Sequence, residues 1–316
     1  MEIIRGLNNL KPGHRGCAAT IGNFDGVHLG HQAVFKQLIA KARQRNLPVT
    51  VITFEPQPQE FFLPNAAPSR LTKFREKLNA MKSLHIDRLL CLRFNKQLAN
   101  FTAEEFVQKV LISGLGVNYL VVGDDFHFGK RREGDFELLK QSGTQFGFEV
   151  VSTDTFDVVG ERVSSTRIRE ALQVGDIALA ERLLGRSYGM VGRVAHGDKR
   201  GRSIGFPTAN IYVHRCSSPV SGVYVVQMQG NAQDLGTVTV NGVANVGTRP
   251  TVEGSRTLLE VHLFDFDREI YGAHVCVNFL KKLRDEQRFE SFDALKSQIN
   301  QDAAAARAFF SSASCP

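Results

Sequence analysis

Two histidines, His28 and His31, lie in the segment TIGNFDGVHLGHQAVF, which covers residues 20–35. They are three residues apart, and side chains at this spacing share one face of a helix. An apolar run precedes them, so the pair is expected where a buried strand turns into a helix. Ligands of open α/β sheets bind at the carboxyl ends of strands, and helix N-termini attract anions. The spacing therefore favours a phosphate-binding site, at which Gly30 lets a ligand approach the backbone.

Two other interpretations of the histidine pair stay open at this point. A zinc site needs further ligands, and the sequence has neither an HExxH motif nor cysteines at CxxC spacing. Two satisfied structural histidines would need no ligand at all. The chain also lacks a GxxxxGK[ST] loop, so another device would have to hold the phosphates of a nucleotide. Gly22 and Gly26 make the turn before the helix permissive.

A hydroxyl-rich segment, RVSSTRIREAL, covers residues 162–172. Ser164, Ser165 and Thr166 are expected just before a helix, where hydroxyls cap the helix or hydrogen-bond a phosphate. Arg169 follows one turn later, and helical side chains lean toward the N-terminus, so its guanidinium can reach the same anion. A plain helix cap with solvated arginines is the alternative.

A glycine-rich basic segment, GRVAHGDKRGRSIGFPTANI, covers residues 192–211. Gly197 and Gly205 permit tight turns that expose backbone N–H groups to an anion. Thr208 and Asn210 alternate along the chain, so they share one face of an extended segment. Their oxygens suit Mg²⁺, which prefers oxygen ligands. A flexible basic loop before an edge strand is the alternative.

The first half of the chain alternates strand and helix patterns. Short buried strands are predicted at residues 18–22, 49–54, 119–123 and 148–153. Apolar residues between 34 and 42 recur at three- and four-residue steps, which predicts an amphipathic helix. Thr102 and Glu105 have the spacing of a capping box. The alternation predicts right-handed βαβ units and a doubly wound α/β domain with a parallel sheet.

The pattern changes near residues 184–188. Beyond this point, short strand patterns are separated by Gly, Asn and Pro, which predicts a small antiparallel β-barrel. In the run 259–263, apolar residues alternate with Glu260 and a histidine, so Glu260 should lie on the face opposite the apolar set. A last helix is predicted from about residue 291 to residue 310.

The composition limits the class of protein. The 316 residues, 42% hydrophobic and 22% charged, are ordinary for a globular chain of about two domains. The net charge of +7 (39 − 32) suits nucleic acid, a membrane surface or phosphorylated metabolites. Five scattered cysteines argue against a disulfide framework. The N-terminus lacks the apolar core of a secretory signal, and no apolar run of about 18 residues occurs, so we expect a cytoplasmic protein without a membrane span.

The motifs together resemble a known family. An HxGH motif followed by a late SSTxxR looks like the nucleotidylyltransferase superfamily. GNFDGVHLGH, VGDDFHFGKRREG and RVSSTRIREAL are similar to the adenylyltransferase module of the prokaryotic bifunctional riboflavin kinase/FMN adenylyltransferase family. NVGTRPTVEG, LEVHLFDF, IYG and LRDEQRF resemble its kinase module. The resemblance implies a Rossmann-like adenylyltransferase domain over residues 1–185 and a riboflavin kinase β-barrel with a C-terminal helix over residues 186–316.

Two reactions are implied by this resemblance. In the N-terminal module, the phosphate of FMN would attack the α-phosphorus of ATP and give FAD and pyrophosphate, without a covalent enzyme intermediate. In the C-terminal module, the γ-phosphoryl group of ATP would pass to the ribityl 5′-hydroxyl of riboflavin and give FMN and ADP. ATP would be the co-substrate of both modules and Mg²⁺ the metal. We expect no nucleic-acid or membrane partner and a monomer or weak homo-oligomer.

The resemblance also implies roles for residues that match the family motifs. In the adenylyltransferase module, the residues that would bind nucleotide or phosphate are Gly22, Asn23, His28, His31, Ser165, Thr166 and Arg169. Of these, His28, His31 and Arg169 would be catalytic. Asp125 would lie near the nucleotide or flavin. Those of the kinase module are Glu260 as general base or hydroxyl orienter, Gly197 and Gly205 at phosphate, Thr208 and Asn210 at Mg²⁺, and Arg249 and Arg284 at substrate. His127 departs from the family, which more often has arginine there.

Two alternatives to a bifunctional enzyme remain at the level of sequence. The chain could be a nucleotidylyltransferase whose barrel only binds flavin, with Glu260 as a solvated residue on its outside. It could also bind nucleic acid, as its charge allows. Its basic residues, however, cluster beside glycines in two loops, which favours small phosphorylated ligands over a continuous groove.

Overall fold

The computed structural model describes residues 1–123, 125–153, 157–158, 161–196, 206–213, 217–230, 238–251 and 254–313. Contacts divide the chain into two compact units. The first comprises Met1–Pro68 and Thr72–Ser165, and the second comprises Ser69–Leu71 and Thr166–Pro316. This division lies twenty residues before the boundary that we predicted after residue 185.

A six-stranded, all-parallel sheet forms the centre of the first unit. Its strands are β1 (Glu2–Arg5), β2 (Cys17–Ile21), β3 (Val49–Glu55), β4 (Arg88–Arg93), β5 (Val117–Gly123) and β6 (Glu149–Thr153). They lie in the order β1-β4-β3-β2-β5-β6. A short antiparallel ribbon is formed by β7 (Asp157–Val158) and β8 (Glu161–Arg162). The predicted doubly wound parallel sheet is confirmed, whereas β1 and β4 were not predicted.

Helices connect these strands. They are α1 (Leu29–Gln44), α2 (Pro58–Phe62), α3 (Phe74–Lys82), α4 (Lys96–Ala99), α5 (Ala103–Phe106), which continues as a π-helix (Val107–Leu115), and α6 (Phe136–Phe146). Single 3₁₀ turns occur at Leu7–Asn9, Pro12–His14 and Lys130–Arg132. The predicted capping box is present: Thr102 Oγ1 accepts from the Glu105 N–H, and the Glu105 carboxylate accepts from the Thr102 N–H, both at 3.1 Å.

The sheet is buried on both faces, as its continuous apolar strands predict. Along β2, Ala19 packs into the cluster on one face, while Ala18 packs on the other face with Phe35 and Leu38 of α1. Cys17 is fully buried in the first cluster, and burial raises the pKa of its thiol to about 11 because the thiolate would lose its hydration. Because β2 is packed on both faces, the loop that follows it begins from a well-packed strand.

A closed antiparallel barrel forms the centre of the second unit, as predicted. Its strands are β9 (Gly189–Ala195), β10 (Thr208–Tyr212), β11 (Gly222–Gly230), β12 (Thr239–Thr251), β13 (Gly254–Leu263) and β14 (His274–Arg284), in the order β10-β13-β12-β11-β14-β9. Its helices are α7 (Ser165–Val174), which begins at the division between the units, α8 (Ile177–Leu184) and the C-terminal α9 (Phe292–Ala313).

The two faces of the barrel strands differ as the alternation in β13 predicted. Leu259 and Val261 are fully buried in the barrel interior, whereas Glu260 points to the other side and is half-buried. Tyr224 is another interior residue; its hydroxyl donates to the Ser221 carbonyl at 3.0 Å, and burial raises its pKa to about 12. On the outer face, α9 packs against β11 and β12 through a small apolar cluster. Glu260 thus lies on the face that α9 partly covers.

Candidate active sites

The first candidate site lies at the carboxyl end of β2, in the loop of residues 22–28 that leads into α1. In the sheet, β2 lies between β3 and β5. The chain proceeds from β2 through α1 to β3 on one side and later returns to β5 on the other. Strand order therefore reverses at β2, and open α/β sheets bind ligands in the crevice at such a point.

The two histidines are in direct contact at the start of α1. His28 is the N-cap residue, and its Nδ1 accepts from the backbone N–H of His31 at 3.3 Å. The two rings stack with centroids 3.5 Å apart and planes 20° apart, which confirms that they come together. Because Nδ1 is an acceptor, the neutral ring of His28 carries its proton on Nε2, which is then a donor. A Cβ at Gly30 would lie 3.2 Å from the His28 ring, so the close stack favours glycine there.

The loop before α1 adopts an uncommon backbone conformation. Phe24 and Val27 have φ values of 48° and 44°, a region that β-branched and bulky residues rarely occupy. Asp25, which is buried, fixes the loop between them: its Oδ1 accepts from the Thr72 N–H at 2.9 Å and from the Thr72 hydroxyl at 3.1 Å. The Ser165 hydroxyl donates to the Asp25 carbonyl at 2.9 Å. Surrounding groups thus hold a conformation that the loop alone would not favour.

The predicted residues Gly22, Asn23 and Asp125 occupy the ends of the two neighbouring strands, β2 and β5. A Cβ at Gly22 would lie 2.9 Å from the Phe24 ring, so any larger residue would have to displace that ring. The Asn23 Oδ1 atom is buried and has no hydrogen-bond partner within the described part of the chain. Asp125 is exposed in the loop after β5, with an Oδ2 atom 3.3 Å from Arg162 Nη2.

The segment SSTRIR differs in one respect from the prediction. Helix α7 begins at Ser165, so Ser165 and Thr166 lie in its first turn rather than before it. The first-turn N–H groups of a helix have no intrahelical partner, and residues with short polar side chains are well tolerated there. Arg169, one turn on, donates from Nε to the Ser69 carbonyl at 2.7 Å.

The second candidate site is a row of polar side chains across three barrel strands. Asn210 of β10 lies directly opposite Glu260 of β13, and Glu260 lies directly opposite Asn245 of β12. Directly opposite residues project to the same face of a sheet. Thr208 lies on this face too, opposite His262, which confirms that Thr208 and Asn210 share a face. An acidic group is therefore flanked on both sides by amides.

A pocket of about 490 Å³ opens over part of this row, at Thr208, Asn245 and Glu260. The barrel strands contribute these polar residues together with apolar ones such as Val223 and Val243. The facing wall comes from α9 and the segment before it, and its apolar residues are Phe289, Phe292, Leu295 and Ile299. A pocket with an apolar wall and a few convergent polar groups is typical of a site for a small organic ligand.

Of the other predicted kinase residues, the structure describes Arg284 fully and Arg249 only in its backbone. Arg284 lines the pocket, and its Nε and Nη2 donate to the Asp302 carboxylate of α9 at 2.8–3.1 Å. Gln298 donates to the same carboxylate at 3.0 Å. The backbone of Arg249 lies in β12 opposite Arg256, and its side chain is outside the described part. Gly197 and Gly205 also lie outside the described residues.

Several residues at these sites gave no signal in the sequence. They are Asp25, Thr72 and Lys77 at the first site and Asn245 and Asp302 at the second. Asp25 and Asn245 lie inside the motifs GNFDGVHLGH and NVGTRPTVEG, but the motifs do not show what these two side chains contact. Thr72, Lys77 and Asp302 reach the sites through long-range contacts, which periodicity does not reveal.

The described residues lack two further features. No three His, Cys, Asp or Glu side chains in this part of the chain are grouped so that they could hold a metal ion. Among the helices that the structure describes, none is long and apolar enough to cross a membrane.

Both parts of the chain match known protein families. Residues 10–167 match the FAD synthetase family and residues 184–310 match the riboflavin kinase family. A bifunctional riboflavin kinase/FMN adenylyltransferase of Escherichia coli (strain K12) is 51% identical, and the match covers 98% of each chain. The enzyme of the same description from Haemophilus influenzae is 47% identical over 99% of this chain and 100% of its own.

One solved structure is similar along the whole chain. It is described as a macrolide-efflux protein from Streptococcus pneumoniae and is 31% identical, with a TM-score of 0.80; the match covers 97% of this chain and 99% of that one. The order of the parallel-sheet unit and the barrel is therefore found in a second, experimentally solved chain.

Proposed function

The chain belongs to the bifunctional riboflavin kinase/FMN adenylyltransferase family, and on that premise we propose which of its residues carry the two reactions. It phosphorylates riboflavin with ATP to FMN and adenylylates FMN with a second ATP to FAD and pyrophosphate. The riboflavin kinase match over residues 184–310 sets aside the alternative of a barrel that only binds flavin. We assign adenylyl transfer to residues 1–185 and the kinase reaction to residues 186–316.

Adenylyl transfer requires no covalent intermediate, so the protein contributes position and charge stabilisation. The observation that carries our assignment is the stacked pair His28–His31 at the N-terminus of α1. His28 Nε2–H and the helix N-terminus both favour negative charge at this place. We assign the two imidazoles to the ATP phosphates and to the charge that develops as pyrophosphate leaves. Asn23, whose buried Oδ1 has no partner in the part of the chain that the structure describes, helps to place the phosphates.

Three further assignments for adenylyl transfer rest on the motifs. Ser165 and Thr166 supply first-turn N–H groups of α7 to the β- and γ-phosphates, and Arg169 supplies its guanidinium. The Arg169 Nε that bonds the Ser69 carbonyl is one of five N–H donors on that side chain. Asp125, exposed beside the end of β5, contacts the nucleotide or flavin.

The kinase reaction needs a group that accepts or orients the proton of the riboflavin 5′-hydroxyl. Glu260 has this position in our assignment, because it lies in the pocket between two amides. Asn245 and Asn210 then fix the direction in which the carboxylate points. The apolar wall from α9 suits the ring system of the flavin, and Arg284 acts through Asp302 to hold that wall in place.

Magnesium is the metal that these residues fit. Thr208 and Asn210 present a hydroxyl and an amide oxygen on one face of β10, beside the Glu260 carboxylate. Mg²⁺ prefers such oxygen ligands together with substrate phosphates, and it would neutralise phosphate charge during transfer. Gly197 and Gly205, which lie outside the described residues, are assigned to phosphate binding on the strength of the sequence alone.

The Mg²⁺ assignment is tested by titrating the metal in two assays of one variant. Asn210→Ala should raise the Mg²⁺ concentration for half-maximal riboflavin phosphorylation at least about tenfold, because one oxygen ligand is lost. Adenylylation of supplied FMN by the same sample should keep its wild-type Mg²⁺ dependence. Asn278→Ala, at a half-buried asparagine of β14, serves as the control. An unchanged Mg²⁺ curve for phosphorylation by Asn210→Ala would refute the assignment.

We also propose that the positive charge surplus serves the phosphates of ATP and FMN rather than nucleic acid, and that the protein acts in the cytoplasm as a monomer or weak homo-oligomer. The support is that the basic residues cluster beside glycines in two segments of the sequence and that both reactions consume ATP. Chromatography with light scattering measures the mass of the particle. An electrophoretic shift with DNA or RNA at low salt would count against this proposal.

A further inference from the structure

A completely buried lysine lies in the first unit. Lys77 belongs to α3, and its side chain is 0% exposed. Removing an ammonium group from water is costly unless the protein offers it partners. Lysine is therefore rarely found fully buried without a structural or functional reason.

The buried ammonium contacts the loop that carries the first candidate site. Lys77 Nζ donates to the backbone carbonyl of Asn23 at 2.5 Å, and the Thr53 hydroxyl approaches the same oxygen at 3.4 Å. Asn23 is also the residue whose buried Oδ1 lacks a hydrogen-bond partner within the described residues. The Lys77 side chain thus holds the backbone of a residue whose side-chain oxygen has no partner among the described residues.

The segment just before α3 contacts the same loop at Asp25 and Gly26. Thr72 donates from its N–H and its hydroxyl to Asp25, and its hydroxyl oxygen accepts from the Gly26 N–H at 2.9 Å. Between these two attachment points lies Phe24, with its φ of 48°. A strained loop persists only where its surroundings over-determine it, and such strain is typical of ligand-binding loops.

We infer that Lys77 is a positioning residue for adenylyl transfer. Its ammonium holds Asn23 so that the loop and the adjoining His28–His31 pair keep the geometry that the ATP phosphates require. Its charge also acts in a site of low dielectric constant, where a fixed cation favours nearby phosphate more than it would in water. This inference rests on the assignment of His28 to the adenylyl-transfer site.

The test replaces Lys77 with methionine, which has similar length and no charge. We expect kcat for FAD formation from FMN to fall about 10²-fold or more, the usual effect of losing preorganisation around a developing charge. The rate of riboflavin phosphorylation, measured in the same sample, should stay within twofold of wild type. Lys82→Met, at an exposed lysine of the same helix, is the matched control and should change neither rate. Lys77→Arg should recover part of the lost kcat.

A purely structural role predicts a different result. In that case the loss of FAD formation would equal the unfolded fraction, measured by thermal unfolding, and would disappear when the assay is cooled. A folded Lys77→Met protein with kcat within threefold of wild type would overturn the inference. If Lys77→Met does not fold, Lys77→Gln is tested instead, because it keeps a donor for the Asn23 carbonyl but has no charge. Its kcat for FAD formation should then be about tenfold lower than that of wild type. If neither variant folds in the first unit, Lys77 serves stability and the inference is wrong.

The same experiment separates this inference from the site assignment beneath it. His28→Ala is assayed alongside. Full FAD formation by His28→Ala together with a loss in Lys77→Met would refute the assignment of His28, not the importance of Lys77. Loss in His28→Ala with normal activity in folded Lys77→Met would refute the role of Lys77 alone.

Discussion

The two sites of this protein are assembled in opposite ways. The first is built around one continuous loop and the helix start that follows it, so that Asn23, His28 and His31 come from a single short segment. The second is a row in which Asn210, Glu260 and Asn245 come from three different strands. A helix N-terminus offers a diffuse positive field, whereas a row of side chains places one carboxylate between two amides.

This difference matches the chemistry that each site performs. Adenylyl transfer spreads charge over a triphosphate, and several weak donors in fixed positions can share its stabilisation. Phosphorylation of riboflavin needs one proton to be accepted or oriented at one hydroxyl, and a single carboxylate can do that. The first site should therefore depend on many positions moderately, and the second on one position strongly.

The largest effect is expected at Glu260. Glu260→Gln keeps the shape of the side chain but removes its basicity, so riboflavin phosphorylation should fall by about 10³-fold, a usual contribution of general acid–base catalysis. FAD formation from supplied FMN should be unchanged. Initial rates for each step, measured by separation of the flavins, check this. Glu290→Gln, at an exposed glutamate, should behave as wild type. A phosphorylation rate near that of wild type in Glu260→Gln would show that the barrel site does not depend on one carboxylate.

A somewhat smaller effect is expected at His28. His28→Ala removes one donor to the phosphates and the N-cap of α1, and should lower kcat for FAD formation by about 10²–10³-fold. Riboflavin phosphorylation should stay within twofold of wild type. His85→Asn, at an exposed residue of the same unit with a φ of 55° that asparagine tolerates, is the control. If His28→Ala loses more activity than Glu260→Gln does, the first site does not depend on many positions moderately, as we propose.

The smallest effect concerns how α9 is held on the barrel. Asp302→Asn weakens a largely buried bidentate pair with Arg284 and should lower the free energy of unfolding by about 2 kcal/mol. The KM for riboflavin should rise with it, since α9 forms the apolar wall of the pocket. Urea unfolding and kinase kinetics measure the two quantities.

A second ion pair on α9 supplies the control for this prediction. Arg307 pairs with Asp265 at 2.9 Å, but both side chains are exposed, and the arginine holds the pKa of the Asp265 carboxyl below its usual value. Asp265→Asn should change stability less than Asp302→Asn and leave the KM for riboflavin as it is, because exposed ion pairs contribute little. Equal changes in the two variants would mean that burial of the Arg284–Asp302 pair is unimportant to the pocket.

The local features of both sites could be predicted from the sequence. The contact between His28 and His31 follows from their spacing at a helix start, and the direction of Glu260 follows from the alternation in β13. The parallel sheet and the barrel follow from strand–helix alternation and from short strands between turns. These predictions need only the periodicity of helices and strands.

Long-range contacts could not be predicted in this way. Lys77 reaches Asn23 across 54 positions of sequence, and Asn245 meets Glu260 only through the register of two strands. Neither residue belongs to a pattern with a fixed spacing to its partner. The start of α7 was misjudged for a local reason, since Ser165 and Thr166 are compatible with a cap and with a first turn alike.

The most direct test of the account is complementation between two inactive variants. His28→Ala and Glu260→Gln are each incubated with riboflavin, ATP and Mg²⁺, alone and mixed, and the flavins are separated by chromatography. Alone, the first variant should accumulate FMN and the second should leave riboflavin unchanged. The mixture should form FAD, because each variant keeps the residues for the step that the other has lost. Each variant is also checked for its remaining step on supplied substrate. If both variants pass this check and the mixture still forms no FAD, the claim that two separate sets of residues carry the two reactions is contradicted.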